Sequence, residues 1–180
     1  MYATMIKSMS TIRAIQNGFT IVELLVVISI IVILASITLV VYGNIQNSGY
    51  DASVQSDLDN TTGLLESFRV STSTTHYFPQ TSTDLSPLNI KVTKGAYDVT
   101  TTVNFVYCVN TSDYQSYYIA ALSKADTIFL MTQDGFVNNT ILTKNSFSNA
   151  STLCGALGSN IGLGSAGMSA SNTWQTWTHT

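Results

Sequence analysis

Gly18-Phe19-Thr20-Ile21-Val22-Glu23-Leu24 opens an apolar run that continues to Val41. Residues 24–41 contain no charged residue, no Gly and no Pro, and their only polar members are Ser29, Ser36 and Thr38. As a helix, this run extends roughly 27 Å, close to the thickness of a bilayer's hydrocarbon core. One carboxylate, Glu23, sits just inside its start. A charge there costs on the order of 2.5–3.5 kcal/mol on insertion scales, so a chain that keeps it has a use for it.

The residues before the run are a leader by their charge. Lys7 and Arg13 are the only charged residues among 1–18, and both are positive, which keeps this end cytoplasmic. No Ala-x-Ala-like site follows the apolar run, so ordinary signal-peptide cleavage is not supported there. Gly18-Phe19-Thr20, then Glu23, then Leu24-Leu25-Val26-Val27-Ile28, Ile31, Ile33-Leu34-Ala35 and Tyr42, resemble the N-terminus of type IV pilins and type II secretion pseudopilins. The resemblance covers residues 13–45, just under a fifth of the chain. It departs from the family at Val32 and Val40, where many members carry Gly and Pro, and at Asn17, where a basic residue is common.

The resemblance implies that a prepilin peptidase cuts after Gly18 and that Phe19 becomes the N-methylated N-terminus. It also implies that Glu23 of an incoming subunit meets the Phe19 amine of a subunit already in a filament. The two positions are four apart and share a helix face. An unpaired carboxylate and an unpaired amine are both costly in lipid, and each can neutralise the other across two subunits. The alternatives are that Glu23 lies at headgroup level or is protonated in the lipid. An uncleaved signal anchor remains a second reading of the segment, one that leaves Glu23 without a role. Cleavage after Gly18 leaves five of the seven basic residues beside all ten acidic ones, a charge of −5 before termini.

Beyond Tyr42, the positions Ile45, Tyr50, Val54, Leu58, Leu65 and Phe68 recur mostly at three- and four-residue steps, with one gap of seven. Gln46, Asp51, Gln55, Ser56, Asp59 and Glu66 fall on the opposite side, which predicts an amphipathic continuation of the same helix. A helix over 19–69 is on the order of 77 Å long. Gly43 and Gly49 are candidate bend positions, and residues 71–75 should end the helix. Asp57-Leu58-Asp59-Asn60 is similar to the start of a calcium loop, but Thr62 stands where that loop needs Gly, and the segment reads as helix.

Pro79 and Pro87 mark residues 71–98 as an irregular connector. Alternation predicts strands over 99–110, 117–122, 127–132 and 136–142. Asp134-Gly135 is a hairpin turn, and Asn138-Asn139 is a point where the last strand could break. The links are too short for parallel crossovers. The fold class is therefore α+β, and the resemblance implies a type IV pilin fold, in which one long N-terminal helix with an apolar first half packs on a C-terminal antiparallel sheet. The expected organisation is a leader at 1–18, a transmembrane and polymerisation half-helix at 19–42 and an amphipathic half-helix at 43–70. A connector at 71–98, a sheet at 99–154 and a Gly/Ser-rich tail at 155–180 with Trp174 and Trp177 complete it. Both Trp residues are candidates to anchor the tail on the domain or on a neighbouring subunit.

In an exported domain, Cys108 and Cys154 favour a bridge, with two buried thiols as the alternative. Such a bridge contributes roughly 3–4 kcal/mol by the loop-entropy model and resembles the C-terminal disulfide loop of many pilins. His76 and His179 lack partners at ligand spacing, so neither a metal nor a cofactor is expected. The expected function is structural, not enzymatic. The chain reads as a pilin of an extracellular filament serving adhesion, motility or uptake. A secretion pseudopilin and a non-polymerising, signal-anchored surface binding domain are the alternatives. The implied partners are copies of itself, minor pilins, the prepilin peptidase, an inner-membrane assembly platform and, before assembly, membrane lipid. The implied locations are the cytoplasmic membrane first and the extracellular filament afterwards. Nucleic acid is not an expected partner of the lone subunit: the mature chain is acidic, and Lys91 with Lys94 is its one basic pair.

Overall fold

A computed structural model describes residues 18–71, 85–167, 173–175 and 178–179. The leader residues 1–17, the connector residues 72–84 with His76, and Trp177 lie outside the described residues, as does the side chain of His179. Helix α1 spans Ile21–Ser71 and crosses the division between two compact units, Met1–Tyr42 and Gly43–Thr180. At its last turn the Ser71 hydroxyl donates to the Phe68 carbonyl at 3.0 Å.

The second unit is built on five strands: β2 (Phe105–Asn110), β3 (Tyr117–Leu122), β4 (Ile128–Thr132), β5 (Gly135–Val137) and β6 (Ile161–Ala166). Their order is β5-β4-β3-β2-β6, and every pairing is antiparallel. Two further short strands, β1 (Ile90–Lys91) and β7 (Thr178–His179), form a separate parallel pair. That pair is an exception to the antiparallel expectation, and it brings chain near the C-terminus beside the connector. Short 3-10 turns at Ser86–Leu88 and Lys94–Ala96 give the connector more order than its prolines suggest.

Helix α1 buries Val54, Leu58 and Leu65 against the sheet face formed by Phe105, Tyr107, Val109, Tyr117, Ile119 and Met131. Thr61 fills the seven-residue gap in the apolar pattern. It is buried, and its hydroxyl donates to the Asp57 carbonyl at 2.7 Å, so the helix itself satisfies the polar atom. The opposite sheet face is covered as well. Val106, Cys108, Ala120, Leu122 and Leu130 pack against Leu142, Phe147, Leu153 and Cys154, the last two from helix α2 (Ala150–Leu157). The Asn149 side chain caps α2 by accepting from the Thr152 N–H. Burial on both faces explains why β2 and β3 are apolar almost throughout.

Three expected elements differ. The strand expected from Val99 begins at Phe105, because Asn104 and Asp98 take up the preceding backbone. Asn104 donates to the Asp98 carbonyl, and Asp98 accepts from the Thr100 N–H. The strand expected to reach Leu142 stops at Val137, where the Asn139 carboxamide oxygen accepts from the N–H groups of Ile141 and Leu142. The tail expected over 155–180 instead contains the last part of α2 and the edge strand β6. Its glycines allow close approach. A Cβ at Gly162 would lie 2.7 Å from Thr111 Cγ2, and one at Gly167 would lie 3.1 Å from Phe105 Cβ.

Two carboxylates of α1 clamp it to the sheet unit. Asp51, expected on the solvent side, accepts from the hydroxyls of Ser123 at 2.6 Å and Thr127 at 2.9 Å. Asp57 is buried and accepts from the Thr93 N–H at 2.6 Å, the Thr93 hydroxyl at 3.2 Å and the Tyr97 hydroxyl at 3.1 Å. Burial pushes the Asp57 carboxyl above its ordinary value, and its hydrogen bonds only partly offset this. Burial and the Asp57 charge push Tyr97 up in turn. Trp174 sits edge-on to Tyr97 at 5.4 Å, so it does anchor the C-terminal segment on the domain.

A raised carboxyl value means that the stability Asp57 contributes is complete below its unfolded value, near 3.8, and is lost as pH rises above it. Denaturant midpoints measured from acid to neutral pH should therefore show the wild type losing stability relative to Asp57→Asn as pH rises. A constant difference would mean that Asp57 does not titrate abnormally.

Candidate assembly segment

The first unit presents the apolar run as a helix with no apolar partner among the described residues. Every described side chain from Phe19 to Thr38 is exposed. Ile21 is 83% exposed and Leu34 58%, values that water does not tolerate over so long a stretch. The three hydroxyls inside it are satisfied locally. Ser29, Ser36 and Thr38 donate to the carbonyls of Val26, Ile33 and Ala35 at 2.7, 2.7 and 2.9 Å. The segment therefore offers an apolar surface with its internal polar groups already paired.

At its start Glu23 closes a reciprocal cap. The Thr20 hydroxyl accepts from the Glu23 N–H at 3.2 Å, while Glu23 Oε2 accepts from the Thr20 N–H at 2.9 Å and the Thr20 hydroxyl at 2.7 Å. This is a capping box, and the Thr20-x-x-Glu23 spacing ahead of an apolar run is the sequence signal for it, which the reading of Glu23 as an intersubunit group passed over. Both bonds go to Oε2, and Oε1 accepts none from the described residues. Gly18 and Phe19 lie just outside the helix, and both are exposed. Among the described residues one helix, α1, is long and apolar enough to cross a membrane by length and composition.

Residues 13–39 match the family model of the prokaryotic N-terminal methylation motif. The chain carries the hallmark N-terminus of type IV pilins and pseudopilins. Its architecture, a long N-terminal helix on a five-stranded antiparallel sheet, is the type IV pilin-like α+β fold. No curated protein and no solved structure matches the chain. The motif supports a prepilin-peptidase substrate of the pilin or pseudopilin kind, and with the apolar helix it points to a membrane-anchored precursor.

Cys108 and Cys154 are bridged, with Cα atoms 5.5 Å apart and a sequence separation of 46. The bridge ties β2 to α2 inside the second core cluster, where both sulfurs are buried. Closing a loop of this size contributes roughly 4 kcal/mol by chain entropy. A second tie runs through Lys144, which pairs with Asp98 at 2.6 Å and also with Asp126. Burial raises the Asp98 carboxyl, but the hydrogen bonds from Lys144 and Thr100 outweigh it, and the group ends below its ordinary value. The combined Cys108→Ser, Cys154→Ser variant should lose about 3–4 kcal/mol of stability in denaturant unfolding, because it forfeits the loop closure while keeping the shape of the core. An unchanged midpoint would show that the bridge adds nothing to the folded state.

Proposed function

We propose that this chain is a structural subunit, not an enzyme, of an extracellular type IV pilus filament serving adhesion, motility or uptake. Prepilin peptidase cuts after Gly18, Phe19 is N-methylated, and an inner-membrane platform moves the helix from lipid into the filament, alongside minor pilins. The observation that carries this reading is the exposed apolar helix with one carboxylate at its head. Lipid or a sheath of like helices can cover such a surface. Burying one Val, Leu or Ile side chain is worth about 1.5–3 kcal/mol, so packing of the run supplies the driving force. The carboxylate then sets register. Its Oε1 is open to the Phe19 amine of a neighbour, and its capping bonds to Thr20 can persist. An amine facing a carboxylate in low dielectric favours only those staggers of the two helices that bring the charges together.

Secretion pseudopilins share the methylation motif, so export separates the two readings. Glu23→Ala should abolish filaments, scored by shearing and electron microscopy, while protein export continues. Normal filaments in that variant would remove the pairing mechanism. A collapse of export with no filament in the wild type would favour the secretion pseudopilin.

A further inference from the structure

We propose that the unit from Gly43 docks onto a second copy of itself head to tail, the Asp113 and Asp134 turns of one copy meeting Lys94 and Lys124 of the next. This rests on the filament reading above and adds to it a contact outside the apolar helix.

Strand direction defines two ends of the sheet. The turns after β2 and after β4, at 111–116 and 133–134, lie at one end. The turn after β3 lies at the other. The Lys94–Ala96 turn sits beside the latter, since the Lys124 N–H donates to the Ala96 carbonyl at 2.7 Å. At the first end Asp113 and Asp134 are exposed, and neither meets a cation among the described residues. Each carboxylate is engaged only by a neighbour: Asp113 by the Gln115 N–H, and Asp134 by the Gln133 carboxamide at 3.4 Å. The other charges near that end, Glu66 and Arg69, neutralise each other at 2.9 Å.

At the second end Lys94 and Lys124 form no ion pair among the described residues. Their ammonium groups rest over the rings of Trp174 and Tyr50, at 5.9 and 5.3 Å. The acidic groups around them are already engaged. Asp51 is held by Ser123 and Thr127, and Asp57 by Thr93 and Tyr97, while Asp98 and Asp126 share Lys144. Unpaired carboxylates at one end and unpaired ammonium groups at the other make two like ends repel and two unlike ends attract. A contact between two different surfaces of the same chain does not close on itself. It generates open helical polymers, as a filament requires, and gives every copy the same polarity.

The test uses the full-length chain in its own assembly system. Lys94→Glu with Lys124→Glu, and separately Asp113→Lys with Asp134→Lys, should each lose filaments while the chain still accumulates with the Cys108–Cys154 bridge intact. The fourfold exchange should recover them. In filaments, Lys124→Cys combined with Asp134→Cys should yield a ladder of disulfide-linked multimers on oxidation. Wild-type assembly of both reversals, a fourfold exchange no better than either one, or the absence of a ladder would each overturn the docking. If the lysine reversal alone is harmful, and it also releases the chain from vesicles containing anionic lipid, the basic end faces the membrane and the docking is wrong. Filaments that still depend on Glu23 but ignore all these exchanges would refute this contact and leave the filament reading standing. A wild type that makes no filament would refute both.

Discussion

An apolar helix surface with a single carboxylate at its head cannot remain in water, and the rest of the molecule is arranged around that constraint. The run from Leu24 has its hydroxyls turned back onto its own carbonyls and its aliphatic side chains exposed. Hydrophobic burial is non-directional, so it makes such helices adhere without telling them where to stop. In the function proposed above, Glu23 adds the direction. Within one chain it closes the capping box with Thr20, which keeps a charged group hydrogen-bonded even where water is scarce. Oε1 remains for a partner. A carboxylate that is satisfied alone and better satisfied in company suits a subunit that passes from lipid to polymer.

The unit from Gly43 has the opposite problem, since it must stay folded with few charges. Its sheet is buried on both faces, by α1 on one side and by α2 on the other. The Cys108–Cys154 bridge holds the second layer to the interior strand β2, and Lys144 draws Asp98 and Asp126 together. Asp51 and Asp57 fasten α1 to the sheet unit through hydroxyl and backbone donors instead of cations. Such bonds are less sensitive to salt than ion pairs, which fits a surface exposed to changing surroundings.

Much of this was legible in the sequence, for reasons that differ from residue to residue. The apolar run and Glu23 stand out because lipid-length stretches are rare and a charge within one is costly. The 3.6-residue period placed Val54, Leu58 and Leu65 on the buried face, and the short apolar run from Tyr117 to Leu122 marked β3. The second covering layer was hidden because alternation over 99–110 predicts a single buried face, whereas Val106 and Cys108 on the other face are themselves apolar and pack in a second core. Strand β6 was hidden because its glycines look like a flexible tail, whereas Gly162 leaves space for Thr111 and the Gly167 beyond it leaves space for Phe105. Asp51 and Asp57 were hidden because a carboxylate on a helix is ordinarily solvated. Only the tertiary donors Ser123, Thr127, Thr93 and Tyr97, 36 or more residues away in sequence, make their positions favourable.

The most direct test is N-terminal peptide mass spectrometry on chain isolated from its native host. A mature chain beginning at Phe19 with one added methyl group is the expected result, and it would place the apolar helix and Glu23 at the N-terminus that assembly requires. A chain that still begins at Met1 or Tyr2 would contradict it. The apolar helix would then be an uncleaved anchor, and Glu23 would have no amine to meet.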